Sequence, residues 1–545
     1  MLKQLTQTTL LTVGLIGYAS FSTEAAADTL KGQVLGGGQP IANSTVTLWA
    51  ASAGAPMQLG QTRTGADGGF TLNSTDAPDK DAILYLIAKG GQPKAGSQNG
   101  ENPAIALMAV IGNKAPATVT INEMTTVASV WTHAQFLDGS GIKGPALSLR
   151  IAAGNVPNFV DLQSGGWGAT IQDPLNSGQT TTMANFATIA DVLAGCVTSV
   201  TPDACPKLYA ATIPPKGDAP NDTLTAAQSI ARAPWYQPTR VFALVDQFYP
   251  IPKGKNLRPV PYMPYLNTAP SAWVLPLKFD GGGYRAGGKA MFDSEGSLWV
   301  GDNFTVGWQA SDSLWQGHAT KFASNGHPIS PITTGFTGGG MEGGTFGAAV
   351  DAKDNAWLTS YGSKSISVFD KNGKPLTPPK GITFDGKLGL MQGVIVTPGG
   401  DVWVLGVEKS QLVHFPKGDL TKGRIVCEGD KEEPCKSFRA PFHLGIDQQD
   451  RIWVSNSGVD HVTRFPAADP SKAENFKTGI NNSGLAIDSQ GNVWVTNRFG
   501  SGLLGMAHLV DMGVRLKLEG VTAASDYLTK TMSEQHGGRN GGSVT

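Results

Sequence analysis

Five short stretches of the chain share one pattern: AMFDSEGSLWVGDN at Trp299, AAVDAKDNAWLTSY at Trp357, VIVTPGGDVWVLG at Trp403, LGIDQQDRIWVSN at Trp453 and LAIDSQGNVWVTN at Trp494. Successive tryptophans stand 58, 46, 50 and 41 residues apart. A repeat of about 40 to 50 residues with an aromatic strand signature is what β-propeller blades require, each blade being one small sheet that buries its faces only against its neighbours. Within a copy, an apolar strand ends at Asp or Thr, a Gly/Asn/Asp turn reverses the chain, and a β-branched and Trp-containing strand returns.

The next strand keeps register. Phe369, Phe415 and Phe465 each lie 12 residues beyond the preceding tryptophan. Phe322 lies 23 residues beyond Trp299, so the first copy carries an insertion of 11 residues around Trp308 and Trp315. After Trp494 no phenylalanine arrives at position 506; residues 501–535 read as a partly helical insertion, and a strand begins only at GGSVT, residues 541–545. The last blade is therefore expected to be unfinished, with WVLPLK, residues 273–278, as the strand that closes the ring.

These repeats resemble NHL repeats and the six-bladed propellers that include streptogramin lyases, gluconolactonases and regucalcin, over about residues 271–499. The resemblance implies the propeller and leaves function open, because the group holds both enzymes and binding modules. The residues expected at the propeller mouth are Gly288, Phe346, Gln392, Phe442, His443, Asn482 and Ser483 where the innermost strands start, and Asp302, Ser360, Gly406, Asn456 and Asn497 where the tryptophan strands end. In streptogramin lyases that end carries a glutamate which, with histidines, supports magnesium-assisted elimination; here Asn456 and Asn497 stand there. In gluconolactonases a glutamate, an asparagine and an aspartate hold a divalent metal. Asp302, Asn482 and Asn497 imitate part of that shell without a matching glutamate, so calcium or magnesium is the cofactor the resemblance implies. His443 is the general-base candidate, without a visible partner. The ligand-binding candidates are Asp302, Gln392, Asn456, Asn482 and Asn497.

Other matches fail on context. Gly338, Gly340 and Gly343 fit G-x-G-x-x-G but precede no helix, and the DSEGS and DSQGN turns lack the distal glutamate of a calcium loop. His133 is a lone helical histidine and reads as a packing residue.

Two regions precede the repeat. GQVLGGGQPIANSTVTLWA followed by TRTGADGGFTLN, with Thr64, Asp67, Gly68 and Phe70 at the hairpin, resembles the carboxypeptidase regulatory-like module. That family is a small β-sandwich with no catalytic residues, which implies a spacing or adhesive role; AILYLIA and AIALMAVI would complete the sandwich. Residues 122–137, 182–196 and 222–233 change to helical spacing, with Asn122 as a cap and Gly195 and Pro234 as stops.

Lys3, an apolar run from Leu10 to Phe21 and the alanines before Asp28 describe a secretory leader over residues 1–27. The run is too short to span a bilayer, and no later segment reaches spanning length, so the mature chain is read as having no transmembrane segment. Four cysteines in two local pairs, Cys196 with Cys205 and Cys427 with Cys435, fit two disulfide loops in an exported chain. A net charge of −1 leaves no basic footprint for nucleic acid. The 70 glycines, nearly twice the usual share of about 7%, fit a chain rich in tight turns.

The expected protein is mainly β and multidomain: leader 1–27, β-sandwich 28–115, helical insert 116–249 and NHL-like six-bladed β-propeller 250–545. It is exported to the periplasm or the cell exterior and binds a protein, a glycan or a small molecule. The alternative is a metal-assisted lyase or lactonase working at the propeller mouth.

Overall fold

The computed structural model describes residues 29–75, 79, 81–94, 100–285, 287–302, 317–479, 481–497, 506–512 and 515–518. The expected leader and residues 541–545 lie outside them.

The N-terminal region is two sheets packed face to face. The strands are β1 (Thr29–Gly36), β2 (Gln39–Ala42), β3 (Thr45–Ala51), β4 (Met57–Arg63), β5 (Gly69–Asn73), β6 (Ile83–Lys89), β7 (Gln92–Pro93), β8 (Ala106–Gly112) and β9 (Thr118–Ile121). One sheet runs β5-β1-β2-β7 with β9 parallel to β1, and the other runs β4-β3-β6-β8. Val34, Phe70 and Leu72 of the first meet Leu48, Leu86 and Leu107 of the second. The first sheet thus takes a strand from beyond residue 115.

Strand β8 is apolar on both faces, and that decides where the helices go. Leu107 and Ala109 face the first sheet, while Met108 and Val110 join a second core with the helices. These are α1 (Glu123–His133), α2 (Ala146–Phe159), α3 (Ala169–Gln172), α4 (Pro174–Ser177), α5 (Thr182–Val197), α6 (Ala204–Ala211), α7 (Thr223–Arg232) and α8 (Pro238–Phe248), with the small hairpin β10 (Leu137–Asp138) and β11 (Gly141–Ile142) between α1 and α2. As an edge strand, β8 would leave a row of unpaired N–H groups. Helical hydroxyls take them: Ala106, Met108 and Val110 donate to Thr223 Oγ1 at 3.0 Å, Thr126 Oγ1 at 2.9 Å and Ser129 Oγ at 2.9 Å. Sandwich and helices therefore share one core.

Asn122 caps α1 as expected, its Oδ1 accepting from the Thr125 N–H at 2.9 Å. Gly195 does not end its helix. It lies inside α5, where a Cβ would come within 2.3 Å of the Phe248 ring, so its smallness serves the approach of α8. His133 is buried in the shared core, in line with a packing role. Among the described residues no helix is long and apolar enough to cross a membrane.

The segment expected to close the ring, residues 273–278, forms no blade strand. It is an extended strap pinned to the helices: the carbonyls of Trp273, Val274 and Pro276 accept from Trp131 Nε1, Asn185 Nδ2 and Thr182 Oγ1 at 2.9, 3.0 and 2.6 Å. With its carbonyls taken by side chains and Trp273 buried in the helical core, the strap has no ladder to offer a sheet.

Five antiparallel sheets follow in chain order. The first holds β12 (Gly287–Phe292), β13 (Leu298–Asp302) and β14 (Ala319–Phe322), the second β15 (Ala348–Val350), β16 (Ala356–Ser360) and β17 (Ser365–Phe369). The third holds β18 (Met391–Val396), β19 (Val402–Gly406), β20 (Gln411–Phe415) and β21 (Arg424–Cys427), the fourth β22 (Pro441–Ile446), β23 (Arg451–Asn456), β24 (His461–Pro466) and β25 (Glu474–Lys477). The fifth holds β26 (Asn482–Ile487), β27 (Val493–Asn497), β28 (Met506–Met512) and β29 (Arg515–Leu518). Each sheet meanders, and the first strands of successive sheets lie side by side, which is the blade order of a propeller. Among the described residues the five blades do not close into a ring, so the expected six-bladed closure is not seen.

The fifth blade corrects the sequence reading. Residues 506–512 and 515–518 are its third and fourth strands, where an insertion and an unfinished blade were expected. Leu509 stands opposite Val493, the register place that Phe465 takes opposite Ile452. A leucine at that place, reached by a longer connection, hid the strand.

Two contacts explain why the repeat needs its tryptophan. Two of the rings pack on the next blade's phenylalanine: Trp357 lies 5.1 Å from Phe415 and Trp403 lies 6.1 Å from Phe465, centroid to centroid. In three blades the indole N–H is held by the aspartate six residues earlier, Trp357 by Asp351 at 3.0 Å, Trp453 by Asp447 at 2.8 Å and Trp494 by Asp488 at 3.0 Å, whereas Trp299 Nε1, with Asp293 at the same place, has no hydrogen-bond partner among the described residues. The same carboxylate accepts turn N–H groups, as Asp488 does from Gln490 and Asn492 at 2.9 Å. The DSQGN turn is thus a hairpin clamp. Hydrogen bonds from Trp494 and Asn492 hold the Asp488 carboxyl down to about 2.

Both expected cysteine pairs are bonded, Cys196 to Cys205 and Cys427 to Cys435.

Candidate functional site

The innermost strands start with a shared irregularity. Counting back from each blade tryptophan, the eleventh residue is Gly288, Phe346, Gln392, Phe442 or Ser483, and the tenth is Lys289, Gly347, Gly393, His443 or Gly484. The strand register slips here in four blades, between Gly287 and Ala290, Met391 and Val394, Pro441 and His443, and Asn482 and Leu485. Such bulges re-aim a side chain out of the ladder.

Hydroxyls two residues past the tryptophan tie one blade to the next. Thr359 Oγ1 accepts from the Gly347 N–H at 2.9 Å and donates to the Gln392 carbonyl at 2.7 Å. Ser455 Oγ accepts from the His443 N–H at 3.0 Å and donates to the Ser483 carbonyl at 2.8 Å. In the first blade Gly301 stands at the hydroxyl's place, and the Lys289 N–H donates directly to the Phe346 carbonyl at 2.6 Å. Backbones this close favour glycine: a Cβ on Gly347 would sit 2.3 Å from the Gln392 oxygen.

Lys289 and His443 are the two exceptions to glycine at the tenth position. The Lys289 side chain runs past the second blade, and its Nζ donates to the Val394 carbonyl of the third at 3.2 Å. His443 Nδ1 accepts from the Leu485 N–H of the fifth blade at 3.0 Å. A ring nitrogen that accepts carries no proton, so the imidazole proton sits on Nε2. That Nε2 is buried and has no hydrogen-bond partner among the described residues. Burial, and then the charge of Lys289, pushes the His443 pKa down to about 3, while burial pushes Lys289 down to about 8. At neutral pH the pair is one ammonium and one neutral imidazole, both offering N–H. Beside them the Phe346 and Phe442 rings meet edge to face at 4.8 Å. Gln392, 5% exposed, makes no side-chain hydrogen bond among the described residues.

The remaining candidates are occupied. Asp302 Oδ1 accepts from the Arg285 N–H at 3.1 Å, and Oδ2 lies 3.0 Å from His318 Nε2. Asn456 accepts from the Arg439 N–H at 3.3 Å and donates to Thr463 Oγ1 at 3.0 Å. Asn482 accepts from Thr478 Oγ1 at 2.8 Å and donates to the carbonyl of Val459 at 3.3 Å. Asn497 stands opposite Asn482 in the ladder; its side chain lies outside the described residues.

The implied calcium or magnesium does not fit these groups. Asp302 Oδ1 and Asn482 Oδ1 accept from protein donors, the second Asp302 oxygen lies against His318 Nε2, and His443 turns a proton rather than a lone pair outward. Among the described residues, no three His, Cys, Asp or Glu side chains are grouped to hold an ion. Lys289 is missed because Gly288 alone stands for the first blade among the mouth residues; aligning the tenth column shows Lys and His against three glycines.

No protein-family model matches the chain, and no curated protein matches it. Solved structures do. A chain of a nidogen/laminin complex is 14% identical, with 40% of this chain and 74% of that one covered at a TM-score of 0.31. Virginiamycin B lyase from Staphylococcus aureus is 12% identical, with 42% and 67% covered at 0.30. A gluconolactonase from Xanthomonas campestris is 15% identical, with 44% and 79% covered at 0.30.

Proposed function

We propose that this is an exported binding or interaction protein whose ligand lies at the axis of the propeller-like blades, with the sandwich and helices as one rigid spacer. The observation that carries the reading is the axial pair: Lys289 and His443 offer only N–H groups, and His443 Nε2 has no partner among the described residues. Such a pair holds a ligand, and His443 supplies no base, because the imidazole lone pair is spent on the Leu485 N–H. The two disulfides accord with an oxidising compartment and residues 1–27 with a leader.

The metal-assisted lyase or lactonase reading makes the opposite demand, since it needs a lone pair and a carboxylate together. Purified protein incubated with lactones and cyclic esters, with and without calcium or magnesium, is expected to show no turnover above background. Turnover that disappears in His443→Ala would overturn the binding reading.

A further inference from the structure

We infer that Lys289 and His443 together receive the carboxylate of a small apolar acid at the propeller axis; this rests on the binding reading above and names the ligand's chemistry. Lysine carries three N–H donors and spends one on the Val394 carbonyl, and His443 adds the Nε2–H. Burying donors without acceptors is costly, and a ligand with two acceptor oxygens removes that cost.

Charge selects among the oxyanions. The pair supplies one positive charge, which balances one carboxylate. A phosphate monoester brings about −1.5 to −2 and would leave charge uncompensated at a partly buried site. The apolar body follows from the neighbours: Phe346 accepts the Lys289 N–H through its own carbonyl, Phe442 precedes His443, and the two rings form one edge-to-face wall. The same place is glycine in the other three blades, so a blade forms without a lysine or histidine there, and the inter-blade bonds to the Val394 carbonyl and from the Leu485 N–H leave the His443 Nε2–H without a partner among the described residues.

The test is calorimetry on the full oxidised chain with three probes: benzoate, its neutral isostere benzamide, and inorganic phosphate. Benzoate is expected to bind saturably and benzamide to bind about tenfold or more weaker, the cost of losing a charge-assisted hydrogen bond. Lys289→Met is expected to cost benzoate a similar factor, and Lys289→Arg to retain most of the affinity. Equal binding of benzoate and benzamide, undiminished benzoate binding by a folded Lys289→Met, or no saturation by about 10 mM would overturn the inference. Phosphate binding tighter than benzoate would overturn the carboxylate assignment. If Lys289→Met does not fold, the benzoate and benzamide comparison on the unaltered protein decides alone. Lactone turnover dependent on His443 would remove the underlying binding reading, whereas missing benzoate affinity without turnover removes only this inference.

Discussion

The backbone N–H of Leu485 in the fifth blade donates to Nδ1 of His443 in the fourth at 3.0 Å, and this bond sets the proton of the axial imidazole. His133 has the opposite arrangement: its Nδ1 faces the Ser129 carbonyl at 3.1 Å and so carries the proton. Nitrogen NMR should therefore find two neutral histidines with opposite tautomers. His443 should remain neutral down to about pH 3 and His133 to about pH 4. An unfolded histidine titrates near 6.5, so below that value the unfolded chain binds protons that the native chain refuses, and stability falls as pH drops towards 3. A His443 signal that titrates near neutrality would refute the assignment.

Glu123 and Asp191 push stability the other way. Both are fully buried beneath the segment carrying Tyr262, whose hydroxyl donates to Glu123 Oε2 at 2.5 Å and whose N–H donates to Asp191 Oδ1 at 2.9 Å. Burial is the main cause that raises Glu123 to about 7 and Asp191 to about 8. The native state therefore keeps protons that the unfolded chain releases near 4.5 and 3.8. Their contribution is complete below those values and is lost as pH rises through 7 and 8. Glu123→Gln, which keeps an acceptor for the Gly37 N–H, should shrink the stability loss between about pH 5 and about pH 9 by on the order of 2 kcal/mol. Denaturant midpoints at the two pH values decide it; an unchanged slope in the variant would show that Glu123 does not titrate there.

The blade clamp predicts a gain as well as a loss. Thr397 stands where the neighbouring blades have aspartate, and Trp403 Nε1 is buried without a hydrogen-bond partner among the described residues. Thr397→Asp should supply the acceptor and stabilise the third blade by about 1 kcal/mol. Asp447→Ala removes the partner of Trp453 Nε1, of the turn N–H groups of Gln449 and Arg451, and of the Arg451 guanidinium, and should cost about 3 kcal/mol. Stability measured for both variants tests the clamp together, because a shared mechanism requires opposite signs.

The repeat was legible because one physical unit recurs: turn aspartate, buried tryptophan and a phenylalanine for the preceding blade's tryptophan to meet. It failed at Leu509, where a leucine and a longer connection removed both marks. The helices were legible through caps such as Asn122, yet their union with the sandwich was not. That union depends on Thr126, Ser129 and Thr223 meeting edge N–H groups of β8, and hydroxyl pairing across separations of 18, 19 and 117 residues leaves no local period. The mouth candidates Asn456 and Asn482 were placed correctly at strand ends, but sequence could not show their amides already bonded. The tenth column marks Lys289 as an exception to glycine, but only the register slip between Gly287 and Ala290 shows that it leaves the ladder.

The Cys427–Cys435 bond is placed to act between blades rather than within one. Cys427 ends β21, the outermost strand of the third blade, and Cys435 lies in the turn that leads to β22, the innermost strand of the fourth. Both sulfurs are buried in one core with Trp403, Phe438 and Phe465, so the bridge closes a loop over the seam where the Trp403 ring meets the next blade's Phe465. Chain-entropy arguments give a loop of this size about 2–3 kcal/mol. Replacing both cysteines by alanine should therefore speed amide exchange in β21 and β22 while leaving β15 to β17 of the second blade unchanged, because the destabilisation is confined to one seam. Uniform acceleration across all five blades would instead mean that the seams open together and that the bridge stabilises the whole arc.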